Sequence, residues 1–83
     1  MAQFHYVYVL HSLKDGKNYI GYTKNLKLRF EKHLEGKVTS TKHRRPLKLI
    51  YFEGCLSKEN TTKREKHFKT HYGKMFLKRK LKS

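Results

Sequence analysis

Between Phe4 and Gly36 the hydrophobic period of the chain changes, so this short stretch must combine paired strands with a helix. Phe4 to Leu10 (FHYVYVL) is rich in β-branched and aromatic residues, which suit a pleated, half-buried surface. Lys14, Asp15 and Gly16 follow, and Asp-Gly is a strong hairpin signal. Asn18 to Tyr22 (NYIGY) reads as the returning strand, and Gly21 within it marks a place where another group approaches the backbone closely. From Leu26 the pattern turns helical: Leu26, Phe30, His33 and Leu34 recur at the spacing of one face. Thr23 and Asn25 are the N-cap candidates, and Gly36 is the stop.

The remainder extends this into an α+β domain. Lys37 to Pro46 (KVTSTKHRRP) is a polar, basic connection, and Leu47 to Leu56 (LKLIYFEGCL) is the third strand. Ser57 opens a second helix that is predicted to run to about Thr70 or His71. Gly73 is expected to break it, leaving Lys74 to Lys82 (KMFLKRKLK) as a short basic final helix. The order is β-β-α-β-α-α, a small three-stranded antiparallel sheet flanked by helices. At 83 residues a single domain, residues 1–83, is the expected organisation.

Charge narrows the partners. Lys and Arg number 21 against 6 Asp and Glu, a formal net charge of +15. Self-repulsion on that scale opposes folding, so a polyanionic partner is the natural reason to carry it. DNA, RNA and an anionic membrane surface all fit such a charge. No apolar run approaches the ~20 residues of a spanning helix, and nucleic acid leads, with adsorption to a membrane surface a distant second. The N-terminal sequence alternates and turns, unlike a secretory signal or an Arg-rich transit peptide. The single cysteine, Cys55, allows no internal disulfide, and a cytoplasmic setting is expected.

Taken alone, the candidate chemical residues have ordinary readings. Tyr6, Tyr8, Tyr19 and Tyr22 all fall on the first hairpin, where tyrosine is a normal strand residue. Arg29 and His33 stand four apart on the first helix and share a face. Acidic residues are scarce, and Glu65 lies in the cationic run KREKHFK. It can pair with Lys69, or serve as a hard-metal ligand, since Mg²⁺ is usually held by one or two carboxylates plus waters and phosphate oxygens. His67 and His71 are an i,i+4 pair, but no Glu follows His67 as a zinc-protease motif requires.

In order along the chain, however, these residues resemble a known signature. Tyr6-Val7-Tyr8-Val9-Leu10, a short hairpin, Tyr19-Ile20-Gly21-Tyr22-Thr23, then Asn25-Leu26, Arg29 and His33 look like the GIY-YIG nuclease motif. Glu65 falls where that family has its metal-binding glutamate. The resemblance covers nearly the whole chain. It is closest to small bacterial members that consist of the nuclease module alone, including Ser40-Thr41-Lys42 through Arg45-Pro46 and Lys63-Arg64-Glu65-Lys66.

The resemblance implies a metal-dependent endonuclease that hydrolyses phosphodiester bonds of DNA, structure-selective and with little sequence specificity. Tyr8 and Tyr19 would be the tyrosines of the two half-motifs, with Tyr8 helping to deprotonate the attacking water, directly or through Tyr19 and His33. Arg29 would lower the phenol pKa and stabilise charge on the phosphate. Glu65 would hold Mg²⁺ or Mn²⁺, and Gly21 would let the backbone approach substrate. Two departures stand out. Tyr6 occupies the family's glycine position, and Leu77, twelve residues after Glu65, replaces an asparagine that many members carry.

Further phosphate contacts are expected from Lys42, Arg44 and Arg45 on the loop, and from Lys74, Lys78, Arg79, Lys80 and Lys82 near the C-terminus. The alternative class is a non-catalytic nucleic-acid-binding module, for which the charge and the aromatics suffice. That reading leaves a carboxylate within KREKHFK unexplained.

Overall fold

The computed structural model describes residues 3–82, without the side chains of residues 71, 72 and 82. The side chain of His71, noted above four residues after His67, and the expected Lys82 contact therefore fall outside what is described. Three strands, β1 (His5–Ser12), β2 (Asn18–Thr23) and β3 (Leu47–Cys55), form one antiparallel sheet in the order β2-β1-β3. Three helices, α1 (Leu26–Leu34), α2 (Lys58–Phe68) and α3 (His71–Lys82), complete the expected order. None of the described helices is long and apolar enough to cross a membrane.

Local chemistry accounts for most boundaries. Asn25 caps α1, its side chain accepting from the Leu28 N–H at 3.1 Å, and Ser57 caps α2 through the Asn60 N–H at 3.1 Å. Gly16 at φ 72° and Gly36 at φ 77° provide the left-handed residues that close the hairpin and follow α1. In the hairpin, the buried Ser12 hydroxyl accepts from the Lys14 and Asp15 N–H groups and donates to the Arg44 carbonyl at 2.6 Å. That last bond ties the loop before β3 to the first turn.

The central strand β1 divides the core. Val7 and Val9 face one side with Phe68 and Leu77, where α2 and α3 pack. Tyr8 and Leu10 face the other with Leu47, Tyr19, Leu26, Phe30 and Leu49, beneath α1. Residues two apart on a strand share a face, so this division follows from the pleat. Leu77, at the family's asparagine position, is thus a core residue on the face opposite Tyr8.

The expected helix break at Gly73 is not where the chain breaks. α2 ends at Phe68, and Gly73 lies inside the first turn of α3, its N–H held by the Thr70 hydroxyl at 3.2 Å. A Cβ at position 73 would collide with the backbone of His67 and Phe68. The glycine is needed for close approach of two helices, a tertiary cause that no local pattern reveals.

Candidate active site

Tyr8 has a flat neighbour in register with it. Gly21 of β2 lies directly opposite, and a Cβ there would overlap the Tyr8 ring and hydroxyl. The phenol therefore leans across β2, under the helix that carries Arg29 and His33. Gly21 does hold a close approach, but its visitor is Tyr8.

The Tyr8 hydroxyl is 2.8 Å from His33 Nε2 and 3.4 Å from Arg29 Nε. Guanidinium can only donate, so the Tyr8 oxygen accepts from Arg29, and among the hydrogen bonds of the described residues His33 Nε2 is the acceptor available to the phenol proton. With Nε2 accepting, Nδ1 carries the proton that it donates to Thr41 Oγ1 at 2.7 Å. His33 and Thr41 are both fully buried. Burial first, and the charge of Arg29 second, pull the His33 pKa down to about 4, so the imidazole is neutral at pH 7. Arg29, Tyr8, His33 and Thr41 thus form one directed hydrogen-bond chain.

Arg29 was expected to lower the Tyr8 pKa. Its hydrogen bond does act in that direction, but burial is the larger effect and leaves Tyr8 above its ordinary value. Tyr19 and, more weakly, Glu65 add to the rise through their charges. The protein by itself holds Tyr8 protonated.

Tyr19 sits beside this chain, its ring centroid 5.4 Å from that of His33 and 6.4 Å from that of Tyr8. Its hydroxyl accepts from Ser40 Oγ at 3.4 Å. Glu65 is on α2, on the same stripe as the buried Thr61 and Phe68, at i,i+4,i+7 spacing. Its side chain is 23% exposed against 56% for its partner Lys69, 3.3 Å away. α2 packs on the Val7 and Val9 side of the sheet, so Glu65 stands across the sheet from the Tyr8 cluster, and the link between them is a weak charge effect that raises the Tyr8 pKa.

The other expected contacts have separate addresses. Lys42 is exposed, next to Thr41. Arg44 Nε is paired with Asp15 at 3.0 Å, and Arg45 reaches the Lys42 carbonyl at 3.1 Å and the Leu34 carbonyl at 3.4 Å. These two arginines fasten the loop to the hairpin turn and to the end of α1. Lys74 and Lys78 line a cavity of about 580 Å³ with Ile20, Ile50 and Phe68, on the Val7 and Val9 side of the sheet. The fold does not bring them to Tyr8. Arg64, in the run around Glu65, is held by Glu53 through two bonds of 2.9 and 3.0 Å and lies over the Phe68 ring.

Thr41 is the residue that spacing missed. Its only sign in the sequence was its place in the Ser40-Thr41-Lys42 segment of the resemblance.

Against this geometry, the profile of the GIY-YIG catalytic domain matches residues 4–80. The chain belongs to the GIY-YIG family. As a member of a nuclease family, it has nucleic acid as its class of substrate. A UPF0213 protein of Staphylococcus epidermidis is 40% identical over 75 residues, covering 89% of this chain and 90% of that one. A UPF0213 protein of Staphylococcus saprophyticus is 42% identical over 67 residues, 80% of each chain. The solution NMR structure of a UPF0213 protein from Bacillus halodurans superposes with a TM-score of 0.56 at 36% identity, covering 89% of this chain and 81% of that one. Small UPF0213 proteins, one of them with a solved structure of similar fold, are thus its relatives.

Proposed function

We propose that this GIY-YIG protein is a divalent-metal-dependent endonuclease acting on DNA, with selectivity for strand structure rather than sequence. The observation that carries the reading is the directed chain Arg29–Tyr8–His33–Thr41, flanked by Tyr19 and within electrostatic reach of Glu65. The binding-module reading gives this chain a packing role alone, whereas the nuclease reading uses each of its members.

The donor set suits a hard cation. Among the described residues no three His, Cys, Asp or Glu side chains gather as a closed metal cage. One inward carboxylate, Glu65, matches a Mg²⁺ or Mn²⁺ ion that keeps water and phosphate oxygens as its other ligands. Bound there, such an ion would neutralise non-bridging oxygens and the leaving group.

The chain's own residues supply the rest. Tyr8 takes a proton from the attacking water as its own proton passes to His33 Nε2. A new P–O bond forms while a bridging P–O bond breaks, the leaving alkoxide keeping its electron pair and taking a proton from solvent as His33 releases the one it received. Arg29 stabilises the negative charge that builds on the phosphate. Thr41 fixes the imidazole so that Nε2, the nitrogen without a proton, faces the phenol. Tyr19 closes the open side of the pair. Lys42 is a loop contact for backbone phosphates, while Lys74 and Lys78 would serve a strand that wraps to the opposite face.

The test is cleavage of labelled linear, nicked, flapped and branched DNA at low salt with Mg²⁺ or Mn²⁺, with binding measured in parallel. Glu65→Ala and Tyr8→Phe are expected to stop cutting while binding survives. Cutting that persists in both variants, or a wild type that binds every substrate and cuts none, would remove the reading.

A further inference from the structure

The catalytic face of the sheet continues past Tyr8 into an aromatic surface. Tyr6 precedes Tyr8 by two residues on β1 and Phe52 of β3 lies directly opposite Tyr8, so these three share one face, with Phe4 just before β1 packed against Tyr6. Tyr6 leans over Gly54, opposite it on β3, where a Cβ would meet the ring at 3.0 Å. The Phe4 and Tyr6 ring centroids are 6.2 Å apart, and those of Tyr6 and Phe52 are 6.4 Å apart. Phe4 is 47% exposed and Phe52 is 52% exposed.

Packing does not explain these rings. Among the described residues the other exposed large hydrophobics are aliphatic, whereas the exposed phenylalanines both adjoin Tyr6. Beside them runs a groove of about 610 Å³ lined by Tyr6, Phe30, Phe52, Lys24 and Lys27 among others, and its charged lining residues are both cationic. Its floor residues Leu26, Phe30 and Leu49 also pack against the cluster that holds Tyr8. Tyr6 stands two residues from Tyr8, about 7 Å along the strand, so a single chain of nucleotides can reach both.

We propose that Phe4, Tyr6 and Phe52 form a stacking platform for unpaired bases next to the phosphate held at Tyr8 and Arg29, with Lys24 and Lys27 on the backbone of the same strand. The occupant is single-stranded nucleic acid. A duplex keeps its base faces stacked internally and cannot present them. A cationic rim disfavours an ordinary protein surface and matches a polyanion whose flat rings are free. This deepens the nuclease reading, and rests on it for the position of the phosphate: the preferred substrate carries a flap or splayed end at the cut.

The test compares anisotropy of a fluorescein-labelled oligothymidylate with that of a labelled duplex of matched phosphate number, at one salt concentration. The Phe4→Leu/Phe52→Leu protein keeps apolar bulk at exposed positions and loses the rings. It is expected to bind the single strand about tenfold more weakly while its duplex affinity stays within about twofold. Phe52→Trp is expected to keep the affinity and, as the chain's only tryptophan, to lose fluorescence when the single strand binds. Unchanged single-strand affinity in the double variant, or an equal loss for both ligands, overturns the platform. Thermal melting monitored by circular dichroism establishes that the variants are folded. The two readings fail separately. A wild type that discriminates through Phe4 and Phe52 yet cuts nothing sinks the nuclease alone. Normal cutting of flaps by the double variant sinks the platform alone.

Discussion

The Tyr8 ring occupies the space above Gly21 where any side chain at position 21 would have to stand. The two residues are opposite each other across β1 and β2, so the glycine decides which way the phenol leans and whether it reaches Arg29 and His33.

Gly21→Ala is therefore expected to act on stability and activity together. Tyr8 is buried and bonded at its far end, so it cannot swing clear without breaking its contact to His33. Overpacking of this kind typically costs roughly 1–3 kcal/mol, readable by urea denaturation. Cutting should fall at least as far as it does in Tyr8→Phe, at temperatures where the variant is folded. In a double-mutant cycle with Tyr8→Ala the cost of the alanine should largely vanish. A cost that stays the same without the Tyr8 ring would show that something else fills the space.

Thr41 gives a second prediction. Thr41→Val keeps the shape and removes the acceptor of the His33 Nδ1 proton, leaving a buried polar group without its partner. That should destabilise the protein by about 1–3 kcal/mol, and it should slow cutting because the imidazole loses its fixed tautomer. Thr41→Ser keeps the hydroxyl and is expected to recover most of both. If serine were no better than valine, packing of the methyl group rather than the hydrogen bond would be what Thr41 contributes.

How far the sequence revealed this arrangement depends on the range of the cause. The hairpin, the helix caps at Asn25 and Ser57 and the alternation of β1 are local, and their residues announced them. The GIY-YIG order of Tyr8, Tyr19, Arg29 and His33 was legible only as a resemblance, since spacing alone gave each an ordinary role. Gly73, Thr41 and the destination of Arg44 were not legible. Each is set by a partner on another element of the fold, which no periodicity or spacing within its own segment reveals. The basic residues show the same limit: composition counts Lys74 and Lys78 with Lys42, while the sheet puts them on different sides.

Acid should weaken the fold through His33. Its pKa is about 4 in the folded protein and ordinarily near 6.5, so between these values the unfolded chain takes up a proton that the native state refuses. Stability from this group is present above pH 6.5 and is lost as pH falls toward 4. From pH 7 to pH 5 the loss should be about 2 kcal/mol, an order-of-magnitude figure. Denaturation curves at the two pH values, compared with those of His33→Gln, check it. The variant should show a markedly flatter dependence, and an equal slope in both proteins would place the acid sensitivity elsewhere.

Leu77 supports a last prediction, because it invites a restoration that the packing forbids. The family's motif invites Leu77→Asn as a gain-of-activity change. Here, however, Leu77 is buried against Val7, Val9 and Phe68, on the face of the sheet turned away from Tyr8. The amide would enter an apolar cluster, losing the packing of the leucine and burying polar atoms among hydrocarbon side chains. We expect a loss of roughly 2–4 kcal/mol in stability, with no gain in cutting rate at temperatures where the variant remains folded. Leu77→Met, close in volume and still apolar, should cost less than about 1.5 kcal/mol. A rate increase in Leu77→Asn at wild-type stability would mean that α3 can reach the catalytic face, and the division of the core by β1 would have to be redrawn.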